Sequence, residues 1–150
     1  MQDNKPRNLL AEARHLVIEG PIGAGTTSLA MRLAGHLKAT MVLEQPSANP
    51  FLARFYQDPK RYALQAQLFF LFQRMDQLRE LSQPDFFASR VVADYLLEKD
   101  PLFAQLNLAD DDYNLYRQIY GTLSPQAPVP DLVIYLHAKP ETLIQRIRRK

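Results

Sequence analysis

The stretch that most constrains this chain is Gly20-Pro21-Ile22-Gly23-Ala24-Gly25-Thr26-Thr27, preceded by the apolar run His15–Glu19 and followed by helical spacing to about Lys38. It fits G-x-x-x-x-G-[K]-[ST] at every fixed position except the lysine. A buried strand that turns sharply through glycines into a helix belongs to α/β architecture, where the turn sits at the carboxyl edge of a sheet. The glycines let the backbone curl so that successive N–H groups can face phosphate oxygens, and the helix N-terminus adds positive potential. The candidate phosphate-contacting residues are Gly20, Pro21, Ile22, Gly23, Ala24, Gly25, Thr26, Thr27 and Ser28, with the Thr27 hydroxyl placed for Mg²⁺. A glycine-rich turn that holds nothing is the plain alternative. Three glycines, the hydroxyl residues after them and both flanking elements argue against it.

Thr26 is the departure. Its position normally carries an ammonium that bridges the β- and γ-phosphates and follows charge into the transition state. Threonine offers one neutral hydrogen bond, without the reach or the charge. By analogy with the loss of one oxyanion donor, the barrier rises by ~3 kcal/mol or more. Three readings follow: a weakened enzyme, natural or engineered; a binding protein without useful catalysis; or compensation by a nearby base such as Arg90.

The rest of the chain alternates apolar runs with helical patterns. Strands are expected at 15–19, 39–44, 89–94 and 131–137, and helices at 27–38, 51–57, 61–82, 96–104 and 110–123. A proline-rich connector spans 124–130, and Pro140 opens a last helix. The helix at 61–82 is apolar nearly all round (Leu64, Leu68, Phe69, Phe70, Leu71, Phe72, Met75, Leu78), which predicts a central position. The order βαβααβααβα predicts a three-layer fold with a mainly parallel sheet. Residues 1–14 are expected to be an N-terminal extension and 15–150 the domain. The chain stops inside its last basic helix, so the closing strand and lid usual in such folds are expected to be missing.

Composition excludes other classes. With 47% hydrophobic and 23% charged residues, the 150-residue chain can bury one core. A net charge of +2 gives no basis for a nucleic-acid surface or a membrane helix. No cysteine is present, and His15, His36 and His137 lack metal-ligand spacing. The first 14 residues have no long apolar run, so a cytoplasmic protein is expected.

From His15 to Lys150 the sequence resembles the deoxynucleoside kinase family, in particular its bacterial deoxyguanosine and deoxyadenosine kinases. The resemblance rests on HLVIEGPIGAGTTSLA, LEQPSANPFLARFYQDPKRYALQAQLFFLFQR, VVADYLLEKDPLFAQLNL and PDLVIYLHAKPETLIQRIRRK. It implies a P-loop NTPase fold and transfer of a phosphoryl group from ATP, with Mg²⁺, to a deoxynucleoside 5′-hydroxyl in nucleotide salvage, purines preferred. Glu44 ends the second strand, expected beside the phosphate loop, where a carboxylate can take the 5′-hydroxyl proton, and the family's base lies at this motif position. Gln67 and Arg74 stand seven residues apart and share a helix face. The family's glutamine at this spacing reads the nucleobase, which selects Gln67 over Gln65. An interior hydrogen-bond network is the alternative. Tyr56 resembles the tyrosine that meets the sugar 3′-hydroxyl, and Phe103 the base-stacking phenylalanine.

Asp94 ends the third strand and can hold Mg²⁺ directly or through water, with a catalytic part alongside Glu44. The family usually follows its acidic residue with Arg and Ser, whereas Tyr95 follows here, so an arginine that would contact phosphate is missing. The basic run 146–150 resembles the start of the family's arginine-bearing lid, or equally a charged helix end. Family members are commonly dimers, and the apolar helix faces suit a homodimer. The rival readings are a catalytically impaired nucleotide-binding protein and a nucleoside monophosphate kinase of the thymidylate kinase type.

Overall fold

The computed structural model describes residues 8–81 and 90–149. A short helix, α1 (Leu9–Glu12), precedes β1 (His15–Glu19), α2 (Thr26–Leu37) and β2 (Thr40–Val42). After a 3₁₀ turn come α3 (Leu52–Gln57) and the long α4 (Pro59–Leu81), then β3 (Val91–Ala93). A second 3₁₀ turn (Leu97–Lys99) leads into α5 (Asp100–Asn107) and α6 (Asp110–Leu123), followed by β4 (Leu132–Tyr135) and α7 (Pro140–Arg148). Pro140 at the start of α7 follows the preference of proline for the first helical turn, where its missing N–H costs nothing.

The strands form one parallel sheet in the order β2-β3-β1-β4. Alternate residues of β1 supply its two faces. Leu16 and Ile18, with Val92 of β3, pack on Ala30 and Ala34 of α2. Val17, with Val42, Val91 and Ala93, packs toward Leu81 and Leu96. A third cluster (Leu71, Met75, Leu78, Leu97, Ala104 and Tyr116) joins α4, α5 and α6. The fold is therefore α/β in three layers, a P-loop NTPase architecture. Among the described helices none is long and apolar enough to cross a membrane.

Three expectations change. β2 does not adjoin β1, because β3 lies between them. Glu44 lies two residues beyond the end of β2, on the loop. And α4 is not enclosed on every side: it buries one face (Ala63, Ala66, Gln67, Leu71, Met75, Leu78) while Phe72 stays 47% exposed. It packs against α3, α5 and α6. Ser89, expected to begin the third strand, lies outside the described residues.

Candidate active site

The phosphate loop closes the carboxyl end of β1. Gly23 and Gly25 have φ of +87° and +92°, a region that L side chains rarely adopt, so the curl depends on glycine at both. Gly25 caps α2, and Leu29 N–H donates to its carbonyl at 3.0 Å. The loop thus sits on the N-terminus of a 12-residue helix with its dipole directed at it. From the other side α7 presses on the loop: a Cβ at Gly23 would meet the Leu143 carbonyl at 3.1 Å. Arg146 of α7 donates through Nη1 to the carbonyls of Gly23 (3.1 Å) and Ala24 (3.4 Å).

Asp94 joins the loop to the segment that follows β2. Because β3 runs between β1 and β2, its carboxyl end reaches both. The Asp94 Oδ2 atom accepts the Thr27 hydroxyl at 2.8 Å, and Oδ1 accepts the Glu44 backbone N–H at 2.9 Å. A hydroxyl and a carboxylate side by side are the hard oxygen donors that magnesium takes, so these two residues fit that ion. Among the described residues no group of three or more His, Asp or Glu could hold a metal by itself.

Beside this junction lies a cavity of about 340 Å³, lined by Ile22 of the loop, Glu44, Tyr56 of α3, Gln67, Phe70 and Arg74 of α4, Lys99 and Phe103. Every residue expected to meet a nucleoside lines it, although Tyr56 is 73% exposed. Arg74 links two acids, donating to Glu44 Oε1 at 2.5 Å and to the Asp100 carboxylate. Burial opposes the guanidinium charge, but Asp100 and Glu44 outweigh it and hold its pKa above the usual value. Its face also lies over the rings of Phe70 (5.4 Å) and Tyr95 (5.5 Å). Gln67, buried where Gln65 is exposed, donates to the Asp100 carbonyl at 3.4 Å.

Asp100, bonded to Arg74 beside the cavity, is a residue that sequence reasoning missed. It is fully buried, and its carboxylate accepts from Arg74 and from the Tyr116 hydroxyl. Burial pushes its pKa up, against the opposing pull of Arg74 and of the hydrogen bonds it accepts. Asp100-Pro101 reads locally as an ordinary helix start, so only the buried Gln67 and Arg74, which need partners, could have signalled it. Lys99 was missed as well. Its ammonium lies 2.5 Å from Glu19 Oε1 and 3.2 Å from the Gly20 carbonyl.

Two positions considered in the sequence for a phosphate-contacting cation do not supply one. Arg90 precedes β3 and donates to the carbonyls of Ala13 and Leu10, at the opposite end of the parallel sheet from the phosphate loop. It cannot replace the lysine. Tyr95, which stands where an arginine was expected, is 3% exposed and donates to Gln77 Oε1 at 3.1 Å, so it belongs to the core.

A family model, Deoxynucleoside kinase, matches residues 16–150. The deoxyguanosine kinase of Bacillus subtilis (strain 168) is 37% identical over 141 residues, covering 92% of this chain and 67% of that protein. The deoxyadenosine kinase of Dictyostelium discoideum is 36% identical, covering 91% of this chain and 57% of its own length. The chain therefore spans between just over half and two thirds of these relatives. A structure of deoxyadenosine kinase from M. mycoides, with the products dCMP and a flexible dCDP bound, superposes with a TM-score of 0.77 at 26% identity, covering 90% of this chain and 70% of that one. The same enzyme with bound dATP gives a TM-score of 0.76. With the loop, the cleft and the fold agreeing with these matches, the chain belongs to the deoxynucleoside kinase family.

Proposed function

We propose that this chain transfers the γ-phosphoryl group of ATP to the 5′-hydroxyl of a deoxynucleoside, purines preferred. The observation that carries the reading is one cavity lined by Glu44, Gln67, Arg74, Tyr56, Phe103 and the loop residue Ile22. Its volume of about 340 Å³ falls in the range of small-molecule sites. Glu44 takes the 5′-hydroxyl proton as the oxygen attacks phosphorus and the bond to the β-phosphate breaks. Gln67 reads the base edge, Arg74 fixes Glu44, Phe103 stacks on the base and Tyr56 meets the sugar. Residues 20–28 hold the donor phosphates through backbone N–H groups. Thr27 and Asp94 would hold Mg²⁺, which when bound neutralises charge on the phosphate oxygens. The purine preference rests on the deoxyguanosine and deoxyadenosine kinases among the relatives. The enzyme is taken to work in the cytoplasm, as a homodimer through exposed apolar helix surface such as Phe72.

Phosphorylation assays with deoxyguanosine, deoxyadenosine, deoxycytidine, thymidine and thymidine monophosphate, ATP as donor, test the proposal. Transfer to deoxyguanosine or deoxyadenosine above the others is expected. Transfer to the monophosphate alone, or to none of the five, overturns it.

A further inference from the structure

Phosphoryl transfer gathers negative charge between donor and acceptor, and among the described residues several cations that could meet it are placed or engaged elsewhere. Thr26 is neutral, Tyr95 is turned into the core, and Arg90 is at the wrong end of the sheet. Arg74 is committed to two carboxylates, and Arg146 lies on loop carbonyls on the α7 side. Among the described residues that line the acceptor cavity, Arg74 and Lys99 are the cations.

We propose that Lys99 is the cation that contacts the transferred phosphoryl group from the acceptor side, which rests on the kinase reading above. Its ammonium sits where β1 becomes the phosphate loop, bonded to Glu19 and to the Gly20 carbonyl. An ammonium has three donors, so these two contacts leave one over. The side chain is 34% exposed, and it lines the same cavity as Glu44. Glu19 is a fixed holder: it is 8% exposed, and its two oxygens accept the N–H groups of Gly20 (2.8 Å) and Leu96 (3.2 Å). The ring of Phe103 supports the ammonium from one side at 5.6 Å. Lys99 therefore stands pre-positioned at the boundary between the phosphate loop and the acceptor pocket, without the freedom of a surface lysine. A phosphate oxygen arriving there takes the remaining donor as a charge-assisted hydrogen bond.

A purely structural role has a clear competing form, in which Lys99 only neutralises Glu19 beneath an anion site. Calorimetric titration of deoxyguanosine and of its 5′-monophosphate separates the two. Lys99→Met should weaken the monophosphate by about tenfold or more, the size of a charged hydrogen bond, and the nucleoside by no more than about twofold. Lys99→Arg should recover most of the loss. In Lys99→Met/Glu19→Gln no unpaired carboxylate remains, and the monophosphate should still bind about tenfold more weakly. Recovery of wild-type affinity in that double variant overturns the proposal in favour of simple neutralisation. Equal losses for both ligands, or no loss, overturn it too. If the unaltered protein binds neither ligand, the kinase reading falls first, and Lys99 falls with it.

Discussion

The two halves of the site are built by different means. The phosphate loop is nine consecutive residues, 20–28, and the groups proposed to bind phosphate there are backbone N–H donors shaped by glycines and a helix end. The proposed acceptor pocket draws on α3, α4, α5 and the loops after β2 and β3, and its polar groups are side chains bonded to one another. Arg74 bridges Glu44 and Asp100, Tyr116 donates to Asp100, and Gln67 reaches the Asp100 backbone. A backbone site tolerates a change such as Thr26 without losing its shape, because the altered side chain did not build it. A network of buried charges does not tolerate the loss of a member, because the partner left behind is an uncompensated charge.

The largest expected effect follows from that contrast. Asp100→Ala removes the acid between Arg74 and Tyr116, both largely buried, and should cost about 3–5 kcal/mol of stability, read as a fall in thermal or urea midpoint. A loss below about 1 kcal/mol would show that the network is wet and loosely held. Thr26→Lys tests the other half. It should raise phosphoryl transfer by about 10²-fold, shift ATP affinity only modestly and leave the melting temperature near its starting value. A large gain in affinity without a gain in turnover would mean that the loop lacked binding rather than transition-state charge.

Glu44→Gln keeps shape and hydrogen bonding while removing the proton acceptor. Turnover should fall by about 10²-fold with nucleoside affinity almost unchanged, as stopped assays and titration would read. Comparable turnover would remove Glu44 as the base and leave it as the anchor of Arg74. Gln67→Ala should weaken nucleoside binding by about tenfold and ATP binding hardly at all. Equal effects on both ligands would return Gln67 to an interior network.

The smallest effect lies at the far end of the sheet and concerns pH. Burial lowers the His15 pKa below its ordinary 6.5, and Nε2 is buried with no hydrogen-bond partner among the described residues. The unfolded chain then binds the proton more readily, so stability is full above the unfolded pKa and declines as pH falls below it. Backbone N–H groups of His15 and Arg14 lower the Asp131 pKa, so its contribution is present above the carboxylate's ordinary 3.8 and is lost below it. Thermal midpoints should drop modestly on going from about pH 7 to about pH 5.5, and His15→Gln should flatten that step. An unchanged slope would assign the acid sensitivity to other groups.

The amino-acid sequence by itself determined whatever depends on neighbours along the chain. The loop could be read because its glycines, its hydroxyls and the helix after it are contiguous, and a strand-turn-helix junction needs no distant partner to be recognised. Helix spacing likewise marked Asp110–Leu123, and Pro140 marked the start of α7. Tertiary structure decided the rest. Strand order is a long-range choice, so β3 rather than β2 came to lie beside β1, and Asp94 became the bridge between Thr27 and Glu44. The sidedness of α4 depended on which of its faces α3, α5 and α6 came to lie against, which no helical period states. Asp100 lies 26 residues from Arg74, and Lys99 lies 80 from Glu19. Charges that far apart in sequence become partners only when burial withdraws the water that would otherwise have served each of them alone.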